Sequence, residues 1–167
     1  VQFGWGGNRA TPEFAENFPD NDDSRNMFFV DGQTLEFTDD TQLGQFVVGW
    51  PIAKWRNITS TGVLGSDGTG NFVDTDFPMF RLADVYLMYA ECAARGAGDV
   101  SLGLGYVNAI RERAYGDAAH NVASITPESV LAERARELQF EAQRRTDLIR
   151  FGLFTGGEYV WAFKGGP

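Results

Sequence analysis

Phe77-Pro-Met-Phe-Arg-Leu-Ala-Asp-Val-Tyr-Leu-Met-Tyr-Ala-Glu91 is answered later in the chain by Glu133-Arg-Ala-Arg-Glu-Leu-Gln-Phe-Glu-Ala-Gln-Arg-Arg-Thr-Asp-Leu-Ile-Arg150. Each stretch has the period of a helix that buries one face and keeps an ordered row of charges on another. In the first, Arg81, Asp84, Glu91 and Arg95 share a polar face, while Leu82, Val85, Tyr86, Tyr89, Cys92 and Ala93 form a broad apolar one. That helix is expected from Pro78 to about Arg95, with Gly96-Ala-Gly98 as its stop. The second has Thr126 as N-cap, Pro127 at the first helical position and Glu128 where the helix dipole favours an acid. Its apolar stripe of Leu131, Ala135, Leu138, Ala142 and Ile149 predicts one helix over 127–151, stopped by Gly152. Between them a helix is expected from about Ser101 to Tyr115, ended by Gly116. Gly103 and Gly105 each cost it up to about 1 kcal/mol relative to Ala, so tertiary contacts carry that turn or a neighbour needs the missing side chains. The short Gly-rich link makes the first two helices an antiparallel hairpin. No self-similarity at the tetratricopeptide period is present.

Outward from this helical part, residues 1–78 change character. They are rich in Gly, Asp, Asn, Thr and aromatics, and are punctuated by Gly6-Gly7, Asp31-Gly32 and Gly65-Ser-Asp-Gly-Thr-Gly70. A short helix is expected over Thr11–Phe18, and extended segments at Met27–Val30 and Phe46–Trp50. The reading is therefore a mostly α fold in a single partial domain over 1–167: a loop-rich acidic half at 1–78, a helical half at 79–152 and a tail at 153–167. The net charge is −9, and residues 1–78 carry twelve acids against four bases. Such a balance disfavours nucleic acid and other polyanionic partners. At 43% hydrophobic and 22% charged, with no apolar run near membrane-spanning length, the composition is that of an ordinary globular chain.

The single Cys92 excludes an internal disulfide and multi-cysteine metal sites, and its Ala-rich surroundings predict a buried thiol. His120 is also alone, which excludes His-based triads and two-His zinc motifs within the chain. Glu133, Glu137 and Glu141 are the obvious candidates for glycoside hydrolysis, which needs paired carboxylates. They lie among five arginines, which would hold them ionised rather than raise one as a proton donor, so a structural ion network is expected. Asp20-Asn-Asp-Asp23 and Asp67-Gly-Thr-Gly-Asn71 have oxygen-rich spacing reminiscent of calcium loops, but neither has the full motif with its distal Glu. No cofactor is expected, with calcium the one alternative. Gly103-Leu-Gly-Tyr-Val-Asn108 lacks a third glycine and follows no strand, so a dinucleotide reading fails. Trp5, Trp50 and Trp55 sit in the loop-rich half beside Gly, Asn, Arg and Asp. Flat rings with adjacent amide and cationic groups suit sugar recognition, the ring taking the apolar sugar face and the polar groups its hydroxyls. The alternative for each is a plug between loop and helix. Trp5, within Gly4-Trp-Gly-Gly-Asn-Arg9, has little bulk beside it and is the strongest stacking candidate, with Asn8 and Arg9 as donors.

Phe80–Glu91, then Tyr106-Val-Asn-Ala-Ile-Arg-Glu-Arg-Ala114, then Glu133–Arg150 followed by Phe151-Gly152 resemble, in order, the carboxy-terminal region of the SusD-like family. Gly4–Arg9, Asn21–Arg25, Met27–Gln33 and Lys54-Trp-Arg-Asn57 are similar to its starch-type members. Departures are Cys92, Ala142 where the family often has Gly, and Arg145-Thr146 where an aromatic is common. The resemblance implies a helical fold with tetratricopeptide-like helix pairs and a loop-built glycan platform, binding starch or malto-oligosaccharide without hydrolysing it. It also implies a surface lipoprotein of the outer membrane, serving polysaccharide uptake, whose partner is a SusC-like TonB-dependent transporter. The lipid anchor would lie outside this chain, which would hold only the carboxy-terminal part. Glycoside hydrolase and helical protein-binding scaffold are the competing readings.

Overall fold

A computed structural model describes residues 9–35 and 47–155. The chain divides into two compact units: residues 1–19 with 27–77, and residues 20–26 with 78–167. Secondary structure among the described residues is mostly helical, with one two-stranded sheet.

In the loop-rich unit, β1 (Arg9–Ala10) pairs antiparallel with β2 (Trp50–Pro51), Arg9 opposite Pro51 and Ala10 opposite Trp50. The expected helix at Thr11–Phe18 is a single turn, α1 (Pro12–Ala15), with Thr11 in extended conformation before the proline. Of the extended segments expected at Met27–Val30 and Phe46–Trp50, Phe28 forms an isolated bridge to Ile52, Val48 forms one to Thr34 and Trp50 enters β2, while Phe46 lies outside the described residues. Aromatic edges hold this unit: Phe14, Phe18 and Phe28 meet pairwise at near-perpendicular angles, centroids 5.2–6.2 Å apart.

The helical unit contains α2 (Leu82–Ala94), α3 (Val100–Tyr115), α4 (Pro127–Glu137) and α5 (Arg144–Arg150). Its core is Leu87, Ala90, Val107, Ile110, Ile125, Val130 and Leu138. Asp99 caps α3 by accepting from the Ser101 and Leu102 amides, and Gly116 ends it in the left-handed region at φ 86°. Thr126 caps α4 as expected, in a capping box closed by Ser129 rather than by an acid. Gly103 lies under α2: a Cβ there would meet Ala93 Cβ at 3.0 Å, Ile125 Cδ1 at 3.2 Å and Ala90 Cα at 3.3 Å. Close approach of α2 to α3 explains this glycine. Gly105 faces open space, so it has no such reason.

Two expectations fail here. The buried stripe of α2 runs through Leu87, Ala90, Glu91 and Ala93, whereas Leu82, Val85 and Cys92 are exposed. This helix is apolar nearly all round, so periodicity alone left its phase open, and the Cys92 thiol is not buried. The second failure is the long helix. It stops at Glu137, and Phe140 and Ala142 take left-handed φ of 57° and 61° before α5 begins. Helical continuity loses to tertiary bonding in this turn. Gln139 donates to the Arg25 carbonyl, and Glu141 accepts from Arg81 Nε at 2.7 Å and Nη2 at 2.8 Å.

Buried charge organises the same unit. Glu133, 2% exposed, accepts from Arg25, Arg111 and Arg136. Glu137 accepts from Arg81 at 2.9 Å and from Arg113. Asp147 accepts from Arg134 Nε at 2.9 Å and Arg150 Nη2 at 2.8 Å; Arg134 also donates to Asp84, and Arg150 to Glu91. Arg25 belongs to the strap 20–26, remote in sequence, where Asp23 chelates it at 2.8 Å through both Nε and Nη2. The Ser24 amide to the Ala114 carbonyl and the Tyr115 hydroxyl to Asp20 complete the strap's attachment.

Ala142 carries a side chain where the backbone is left-handed, which costs an L-residue about 1–2 kcal/mol. Part of any gain from glycine is lost to its freer unfolded chain. Ala142→Gly should therefore stabilise the protein by up to about 1 kcal/mol in urea denaturation; a loss of that size would mean the turn is not left-handed.

Candidate functional site

Five residues are candidates for ligand contact. Trp5 and Asn8 lie outside the described residues. Arg9, Trp50 and Trp55 lie in the loop-rich unit, and the structure gives them different surroundings.

Arg9 reaches across the two-stranded sheet. Its Nη1 donates to the Gly49 carbonyl at 2.9 Å, the Val48 carbonyl at 3.3 Å and the Gln33 amide oxygen. Gly49 sits at φ 73°, and a Cβ there would stand 2.9 Å from Arg9 Cβ. Only glycine permits this crossing, and the guanidinium is a clip for the loop that carries Trp50. Trp50 itself is half-buried and meets Phe28 at 5.9 Å, which joins it to the phenylalanine cluster. Its ring is a packing element on the face that the cluster covers.

Trp55 is different. It is 37% exposed, lies 6.1 Å from the ring of Phe77 at an interplanar angle of 35°, and has the Lys54 ammonium 5.7 Å from its centroid. It opens an arch, residues 54–77, that side chains tie together. Asn57 Oδ1 accepts from the Asp74 amide at 2.9 Å and its Nδ2 donates to the Phe72 carbonyl at 3.3 Å. Ser66 donates to Asp74 through amide and hydroxyl at 2.7 and 2.8 Å, and Thr75 donates to the Arg56 carbonyl at 3.4 Å. The Ile58–Leu64 bridge closes a hairpin inside the arch. An open cleft of about 160 Å³ is lined by Arg56, Thr59, Leu64, Asp74 and Thr75 among others.

The acidic turns are occupied by protein donors. Asp67 accepts from the Thr69 hydroxyl and from the Thr69, Phe72 and Asn71 amides, which hold its carboxyl down to about 2. In the other turn Asp20 takes the Tyr115 hydroxyl, Asp22 faces His120 Nε2 at 3.1 Å, and Asp23 is committed to Arg25. Among the described residues no three His, Cys, Asp or Glu side chains converge on one point.

The carboxylates of α4 sit in the network described above. Burial by itself would raise the Glu133 carboxyl, but the Arg136 and Arg25 guanidiniums outweigh it and the pKa lies below the ordinary glutamate value. Glu91 is held down in the same way, burial opposed chiefly by Arg150, and Asp23 by Arg25. A general acid needs the opposite shift. Glu141 lies beyond the end of α4 and pairs with Arg81, at the start of α2. Phe77 was missed as a neighbour of Trp55. Phe77 is remote in sequence, and only the arch brings the rings together.

No helix among the described residues is long and apolar enough to cross a membrane. A family model described as the SusD family matches residues 38–166. The chain is 42% identical over 121 residues to the starch-binding protein SusD of Bacteroides thetaiotaomicron, an alignment covering 72% of this chain and 21% of that protein. It is 35% identical over 151 residues to SusD-like protein P25 of Formosa agariphila, covering 86% of this chain and 25% of that protein. The chain spans about a fifth to a quarter of the length of these curated relatives.

Two measurements follow from this geometry. Trp50→Ala should lower the melting temperature through loss of its contact with Phe28, whereas Trp55→Ala should leave it nearly unchanged; equal drops would contradict the division between packing and exposed rings. Acid should also unfold the protein. Asp23, Glu91 and Glu133 have lowered pKa values when folded, so the folded state binds fewer protons than the unfolded one. Their stabilisation is present above the ordinary values of 3.8 and 4.5 and is lost as pH falls below them. Urea midpoints taken at falling pH should drop through that window; a flat profile would mean the carboxylates are solvated.

Proposed function

The chain belongs to the SusD family, and on that premise we propose that it binds oligosaccharide at the cell surface without cleaving it. The bound glycan is passed to a SusC-like TonB-dependent transporter in the outer membrane, to which a lipid anchor tethers the protein. Family membership is the observation that carries this reading. One relative is by name a starch-binding protein, which makes malto-oligosaccharide the first ligand to try. Two local features support it. Aromatic rings flanked by amide and cationic groups lie on loops fixed by hydrogen bonds, and arginines hold the Asp23, Glu91 and Glu133 carboxyls below their ordinary values, the opposite of what a general acid requires. Within the platform, Trp5 stacks on a sugar ring and Asn8 donates to its hydroxyls. Trp55 offers a second ring. Arg9 and Trp50 act by holding the loops that present the others. No metal takes part in this reading.

Trp5→Ala should weaken malto-oligosaccharide binding by about 1–3 kcal/mol, the scale of aromatic stacking on flat ligands, with little change in melting temperature. Calorimetry and a thermal melt on this variant and on Trp50→Ala separate contact from support. Full affinity in the Trp5 variant removes it from the platform. Reducing-sugar release from a panel of soluble glycans tests the hydrolase reading: turnover abolished by changing one carboxylate would replace the binding proposal with an enzyme.

A further inference from the structure

Arginine is the most committed residue type in this chain. The guanidiniums of Arg25, Arg81, Arg95, Arg111, Arg113, Arg134, Arg136 and Arg150 pair with carboxylates. Arg9 and Arg144 donate to carbonyls, and Arg145 lies 4.8 Å from the Phe154 ring centroid. Arg56 is the exception: among the described residues it is the arginine whose guanidinium has neither hydrogen bond, ion pair nor ring contact. It lines the open cleft of the 54–77 arch, next in sequence to Trp55.

The arch spends its polar side chains inward and its apolar ones outward. Asn57, Ser66, Asp67 and Asp74 are consumed in bonding the loop to itself. Gly65 is required by that bonding, since a Cβ there would fall 2.1 Å from Asn57 Nδ2. Phe77 stands 57% exposed beside Trp55. Exposed rings on a loop already ordered lose little further entropy when a ligand covers them. The segments carrying them run side by side: Trp55 meets Phe77, the Arg56 carbonyl meets Thr75, and the Asn57 side chain meets the Asp74 amide. The ring pair is thus continuous along the chain with the cleft that Arg56 and Thr75 line.

We propose that this arch is a sugar subsite: the inclined Trp55–Phe77 pair takes the apolar face of a pyranose, and the uncommitted Arg56 guanidinium donates to its oxygens. The proposal rests on the glycan-binding reading above but adds residues that reading does not use. A planar guanidinium has five donors and no acceptor, so it fits ring hydroxyl oxygens and, bidentately, a uronate carboxylate. Hydroxyl and carboxylate share the acceptor chemistry, and the ligand arms separate them. A protein partner is the other use for exposed rings; it does not call for an unpaired guanidinium in a cleft of this size.

The test uses the full 167-residue chain on an array of neutral and uronate-containing oligosaccharides, followed by calorimetry with the best-retained glycan. Phe77→Ala and Arg56→Gln should each weaken binding roughly tenfold, with unchanged melting temperature because both side chains are exposed. If the preferred glycan is neutral, Arg56 serves hydroxyls; if it is a uronate, Arg56→Gln should cost more than Phe77→Ala. Affinity within about twofold of wild type in both variants overturns the subsite and leaves the glycan reading with Trp5. A wild-type chain that retains no glycan on the array overturns both. Binding restored by Arg56→Lys at neutral glycans, but not at uronates, would add that bidentate geometry matters only for the acid.

Discussion

The pairing of Glu133 and Glu137 with arginines from three other segments is the constraint on which the helical unit depends. Each carboxylate is almost wholly removed from water. Arg25 comes from the strap, Arg81 from the start of α2, and Arg111 and Arg113 from α3. A buried pair gains little over well-packed apolar groups, because desolvating the charges costs nearly what their attraction returns. The consequence of removing one partner is larger, about 3–5 kcal/mol for a fully buried pair. The network therefore acts by excluding alternatives. A shifted α3, or a strap docked one residue out of place, would strand a carboxylate in the interior. Leu87, Val107, Ile110 and Val130 supply the driving force, and the charges select one arrangement from those that an apolar core would tolerate.

The same constraint explains what was legible in the sequence and what was not. Caps and stops were readable because they are local: Thr126-Pro127, Gly96 and Gly116 each act within a turn or two. The break after Glu137 was not. Leu138-Gln-Phe-Glu-Ala-Gln143 contains no glycine or proline and every residue tolerates a helix. The bonds that bend it come from Arg25 and Arg81, more than fifty residues away in sequence. The phase of α2 escaped for a different reason. With apolar residues on most sides, its pattern is satisfied by more than one buried stripe, and the small residues Ala90, Ala93 and Gly103 mark the side that α3 approaches.

The candidate site was legible as composition and not as geometry. Aromatic rings beside Asn, Arg and Lys in a glycine-rich segment suggested sugar recognition, but spacing cannot separate a ring that packs from one that is presented. Trp50 and Trp55 are five residues apart and have opposite surroundings. Trp50 follows a glycine at φ 73° that turns it toward Phe28, while Trp55 enters an arch where its ring stays exposed and meets Phe77. Which tryptophan packs is decided by one left-handed glycine and one arginine crossing over it, neither of which a composition count records.

Charge is distributed by the same logic in both units. In the helical unit, acids and bases are nearly equal in number and neutralise one another in the interior, so few guanidiniums remain for a ligand. In the loop-rich unit acids exceed bases threefold, yet Asp67 and Asp74 face inward onto amides and hydroxyls of their own loop. An acid whose oxygens are already filled by amide donors projects less acceptor capacity toward solvent than its formal charge implies. The cations of that unit are few, and two of them, Lys54 and Arg56, flank a single exposed tryptophan. A net acidic surface that repels polyanions can in this way keep one locally cationic, aromatic patch. Selectivity for small, oxygen-rich ligands then follows from where the charges are spent rather than from their sum.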